Sequence, residues 1–81
     1  MMNDILSKVQ SLQKRVKKCG VTITIDYSIG YDGKNTIDVY VHNSFASCEM
    51  FTFSSLNNKA DNFMQMEYLK SYLKEIKAFK Q

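Results

Sequence analysis

The stretch VTITIDYSIGYDGKNTIDVYVH, residues 21–42, decides the fold. Val21, Ile23, Ile25 and Tyr27 alternate with Thr22, Thr24, Asp26 and Ser28. Ile37, Val39 and Val41 alternate in the same way with Asp38, Tyr40 and His42. A period of two among β-branched residues describes two half-buried strands. Between them Asp32-Gly33 signals a hairpin turn. A strict two-residue turn there would set Ser28 against Ile37, polar against apolar. A slip of one residue turns every side chain to the opposite face. One residue must therefore be absorbed, and Gly30 is the bulge the sequence offers. Tyr27 then faces Ile37, Ile25 faces Val39 and Ile23 faces Val41. The same register sets Asp26 beside Asp38.

Outward from the hairpin, the periodicity changes. Ile5, Val9, Leu12 and Val16 recur at helical spacing, which predicts a helix over 4–18. Asn3 or Asp4 can cap its start and Gly20 can end it. Residues 48–53 predict a third strand. Phe51 and Phe53 bring the larger apolar area and are expected inward, turning Cys48, Met50 and Thr52 outward. A second helix is expected over 58–79, with Met66, Leu69, Leu73 and Ile76 as its seam and Phe63 at the near end. At about 33 Å it would overhang strands of about 20–23 Å. The expected fold is α+β, in the order α-β-β-β-α: a three-stranded antiparallel meander with both helices on one face.

At 81 residues the chain makes a single domain, 1–81. A domain of this size buries only about 60–65% of its unfolded surface. No apolar run approaches the roughly 18 residues of a membrane helix. Met1 to Ile5 lack the basic-then-apolar start of a secretory leader, which argues for a cytoplasmic protein. Cys19 and Cys48 fit no zinc or redox spacing and read as reduced thiols. The net charge of +3 is unevenly spread. Residues 1–19 set Lys8, Lys14, Arg15, Lys17 and Lys18 against Asp4, a balance of +4. Residues 20–67 come to −4, with Lys34 and Lys59 against Asp26, Asp32, Asp38, Glu49, Asp61 and Glu67. Residues 68–81 return to +3.

Catalytic patterns are sparse. No nucleophile elbow, zinc-protease helix, Walker loop or dinucleotide fingerprint occurs. The lone histidine, His42, can face Cys48 across the second hairpin, but no third group is in reach to orient it. The expectation is a protein without enzymatic activity, metal or cofactor.

Function must then come from leftover surfaces. The outer sheet face carries Asp26 and Asp38 side by side, with Tyr40, His42 and Met50 next to them. An aromatic and a thioether beside acids suit a protein contact with an apolar anchor and a charged rim. The expected partner is a protein, met through Asp26, Asp38, Tyr40, His42 and Met50. The alternative is nucleic acid, held weakly and salt-sensitively by Lys14, Arg15, Lys17 and Lys18. Tyr68, Tyr72 and Phe79 form a separate stripe on the second helix, suited to core packing or to a homodimer.

The α-β-β-β-α order resembles a double-stranded-RNA-binding domain. That family holds RNA with its first helix, first hairpin loop and the start of its second helix. The resemblance places Lys8, Lys14 and Arg15, then Lys34, then Asn57-Asn58-Lys59-Ala60-Asp61 at those positions. The chain also resembles the small inhibitors of phages and mobile elements, anti-CRISPR proteins among them. That resemblance implies a host protein met by Asp26, Asp32, Asp38 and Glu49.

Overall fold

A computed structural model of the protein describes residues 2–16, 20–30, 32–43 and 48–79. Its elements are α1 (Met2–Arg15), β1 (Val21–Ile29), β2 (Asn35–Asn43), β3 (Glu49–Ser54) and α2 (Lys59–Glu75). The strands form one antiparallel sheet in the order β1-β2-β3. The fold is the expected α+β meander. Met2, Ile5, Val9 and Leu12 of α1 and Met66, Leu69 and Leu73 of α2 share one core with Ile23, Ile37, Val39, Val41 and Phe53. Both helices therefore cover the same face of the sheet. No helix among the described residues is long and apolar enough to cross a membrane.

The register of the first hairpin is the bulged one: Tyr27 pairs with Ile37, Ile25 with Val39, Ile23 with Val41 and Asp26 with Asp38. The device that achieves it lies elsewhere than expected. Gly30 N donates to Lys34 O at 2.7 Å, and Gly33 N donates to Gly30 O at 3.1 Å. These bonds close a three-residue loop, and Gly33 holds a left-handed φ of 86°. The extra residue is thus taken up inside the turn, at Gly33. Gly30 is needed for a different reason. A Cβ there would come within 2.6 Å of Asp32 Oδ1 and 2.9 Å of Lys34 O.

β3 has the expected facing. Phe53 is fully buried and Phe51 packs on the core, while Met50 is 56% exposed. The ring of Phe51 meets that of Tyr72, with centroids 5.9 Å apart.

Both helices differ from expectation at their ends. α1 begins at Met2, whose side chain extends the apolar stripe by one turn. It ends at Arg15, so the expected span 4–18 shifts toward the start of the chain; Lys17, Lys18 and Cys19 lie outside the described residues. α2 opens on Asn58, whose side chain accepts from Asp61 N at 2.8 Å, and closes at Glu75 instead of running to 79. Its close is a Schellman motif. Ala78 N donates to Leu73 O at 2.9 Å and Lys77 N to Lys74 O at 3.0 Å, with Lys77 at φ 55°. The left-handed conformation costs a non-glycine residue about 1–2 kcal/mol. In exchange the chain folds back instead of projecting past the sheet. Ala78 becomes fully buried, and Phe79 forms an isolated antiparallel bridge with Val16. The Arg15 guanidinium lies 4.6 Å from the centre of the Phe79 ring.

The near end of α2 also departs from expectation. Phe63, expected in the seam, is 65% exposed. Asn62 takes the buried place. Its Nδ2 donates to Ser54 O at 3.0 Å, and its Oδ1 accepts from Ser54 N at 3.3 Å and from Asn57 Nδ2 at 3.2 Å. One side-chain amide thus pairs both backbone groups at the end of β3.

Candidate functional site

The outer face of the sheet is built of rows that cross the strands. One row runs Asp26, Asp38, Thr52 and the next runs Thr24, Tyr40, Met50. Thr22 and His42 follow. Successive rows lie about 6.8 Å apart, two residues along a strand. No helix among the described residues roofs this face. Thr22, Thr24, Asp26, His42, Cys48 and Met50 are exposed, and Asp38, Tyr40 and Thr52 are half-buried.

Within the acid row, Thr52 Oγ1 donates to Asp38 Oδ1 at 3.1 Å. That bond steers Asp38 toward β3. On the other side stands Asp26, its partner across the ladder. Like charges directly opposite one another across a strand pair destabilise it. Among the described residues the ion pair formed is Lys70 with Glu67, at 3.9 Å on α2. Neither acid of the row belongs to it. Among the described residues no three His, Cys, Asp or Glu side chains converge as metal ligands would. The face presents paired negative charge, a hydroxyl, and an aromatic with a flexible thioether one row away.

The remaining sequence candidates are scattered. Lys14 and Arg15 close the last turn of α1, with Arg15 committed to the Phe79 ring. Tyr68, Tyr72 and Phe79 do not share a helical stripe, because α2 ends before Phe79. Tyr72 is half-buried against Phe51, and Tyr68 stays 53% exposed. Burial raises the Tyr72 hydroxyl above its ordinary pKa of 10.0, helped by Glu49, Glu75 and Cys48 nearby. Cys48 itself is exposed, its thiol 3.9 Å from Glu49 O.

A second feature is visible only in three dimensions. A groove of about 270 Å³ runs between α1 and α2. Ile5, Phe63 and Met66 floor it, and Lys8, Lys59, Lys70 and Asp4 rim it. Lys8 and Lys59 stand far apart in sequence, so composition along the chain gave no sign of this pairing. Phe63 gave no sign of it either, because its hydrophobicity assigns it to the core and its 65% exposure is visible only in the structure.

Comparison of the chain with protein-family models, with curated proteins and with solved structures finds no match.

Proposed function

We propose that this protein is a non-enzymatic protein-binding module that docks through the outer face of its sheet. The observation that carries this reading is the open acid row. Asp26 and Asp38 lie side by side, unroofed and outside any ion pair among the described residues. Their mutual repulsion is relieved when a cation arrives, so a partner's Arg or Lys binds with an added electrostatic gain. Tyr40 and Met50 supply the apolar anchor one row away. A basic surface that otherwise receives nucleic acid is the partner chemistry that fits, as the likeness to small phage inhibitors implies. Affinity capture from the expressing cells, with wild type and Asp26→Lys/Asp38→Lys side by side, tests it. The double variant is expected to lose the partner while keeping its circular dichroism spectrum; equal retention overturns the reading.

One observation favours a second reading. Lys8 and Lys59 fall at positions that the double-stranded-RNA-binding resemblance assigns to RNA, and they meet across one groove with Lys70. Three lysines against Asp4 would bind phosphates weakly, with strong salt dependence. A mobility-shift titration at low salt separates the readings. A shift lost in Lys8→Glu/Lys59→Glu supports nucleic acid, and no shift at any concentration removes it.

A further inference from the structure

The parity of the ladder shows which backbone groups of β1 point away from the sheet. The bond from Gly30 N to Lys34 O closes a hydrogen-bonded pair. Counting back by twos, Ser28, Asp26, Thr24 and Thr22 turn their N–H and C=O groups toward β2. Ile23, Ile25, Tyr27 and Ile29 turn theirs to the open edge. Two other contacts agree. Gln13 Nε2 donates to Ile23 O at 2.8 Å, reaching that carbonyl from outside the ladder. Ser55 N donates to Asn35 O at 2.9 Å, so the odd residues of β2 face β3 and the even ones face β1.

Folded proteins blunt such edges with proline, lysine, bulges, inward charges or a covering element. The near half of this edge has its cover, because α1 reaches Ile23 through Gln13. Among the described residues, the far half, 25–29, has none of these devices. Its inward side chains, Ile25, Tyr27 and Ile29, are apolar and incompletely covered, and Ile29 is 74% exposed.

We propose that a second copy of the chain pairs with this edge, β1 antiparallel to β1, about a two-fold axis through Tyr27. The strand is complementary to itself in that register. Ile25 faces Ile29 of the second copy, Tyr27 faces Tyr27 of the second copy, and Asp26 faces Ser28 of the second copy. Apolar meets apolar on the inner side, and each carboxylate meets a hydroxyl on the outer side. An axis at Asp26 would set two carboxylates face to face, which destabilises a strand pair. An axis at Ile25 would need the edge groups of Ile23, which Gln13 occupies. Registers about a point between residues would set apolar side chains against polar ones. A two-fold contact also closes on itself, whereas pairing β1 with the β3 edge would propagate into fibres. The pairing stands independently of what the outer face binds.

Sedimentation equilibrium of the wild type from the micromolar to the millimolar range tests the pairing, together with two variants. Ile29→Lys places a charge at an exposed site that the dimer would bury. Tyr27→Pro removes the N–H at the axis and leaves the bonds to β2 intact. The expected result is a monomer–dimer equilibrium weakened at least roughly tenfold by each variant, with unchanged circular dichroism. Amide hydrogen exchange of the wild type gives a reading that needs no variant: the Ile25, Tyr27 and Ile29 amides should slow as concentration rises. A monomer at every concentration overturns the proposal. So does a species larger than a dimer, or a dimer whose three edge amides exchange as fast as in dilute solution.

Discussion

The two faces of the sheet share one backbone and have opposite duties. On the inner face Ile37, Val39, Val41 and Phe53 are fully buried, and both helices lean on them. On the outer face the same strands show Thr24, Asp26 and Met50 to solvent, and among the described residues a side-chain bond, Thr52 to Asp38, links neighbouring strands. The inner face holds the folding free energy, because apolar burial is the dominant favourable contribution in a small domain. The outer face is left nearly free of structural duty. Its acids even oppose folding slightly, and that is why it is the better place to look for function.

The largest expected effect tests the inner side of this contrast. Phe53→Ala should cost about 3–5 kcal/mol in urea unfolding, for lost transfer energy and the cavity left behind. Tyr40→Ala, on the outer face, should cost a small fraction of that; similar losses would break the comparison. Next comes the fastening between layers. Asn62→Ala leaves both backbone groups of Ser54 without this partner and should cost about 1–3 kcal/mol in the same assay. Smaller, and opposite in sign, is the outer face itself. Asp26→Thr removes the like-charge pair with Asp38 and should stabilise the fold by about 0.5 kcal/mol at low salt, a gain that fades as salt is added. The smallest effect appears only in alkali. The Tyr72 hydroxyl titrates higher in the folded chain than the 10.0 of an unstructured one. Its contribution is therefore whole below pH 10 and is lost as pH rises through the folded value. Tyr72→Phe should match wild type closely at neutral pH and become relatively more stable above pH 10, in unfolding curves taken across that range.

The strand faces were legible because their pattern repeats. Alternation over residues 21–27 and 37–41 admits one register, and the larger area of Phe51 and Phe53 decided how β3 faces. The place of the extra residue was not legible. Residue counting shows that one must be absorbed, yet Gly30 and Gly33 both fit, and only the hydrogen bonds at Lys34 separate them. The end of α2 carried no punctuation at all, since Lys77 rather than a glycine takes the left-handed position. Asn62 was hidden by its chemistry. Hydrophobicity favours Phe63 for the core, but the end of β3 needs an amide there, and that need exists only once β3 and α2 have met. The positions of Asp26, Asp38 and Tyr40 on one face followed from strand parity alone, and Met50 joined them once Phe51 and Phe53 were turned inward. The groove did not, because it joins Lys8 to Lys59 through tertiary structure.

The amide that ties α2 to Ser54 is also chemically perishable. Hydrolysis of Asn62 to an aspartate would exchange an N–H donor for an oxygen and leave it aimed at the Ser54 carbonyl, oxygen against oxygen. The helix holds Asn62 away from the backbone geometry that such ageing needs, so the lesion should arise in molecules that have opened. Each conversion would then hinder that molecule's return to the native fold. Stored samples should accumulate the acid form in the less stable fraction, visible as a small mass gain at Asn62 in peptide mapping.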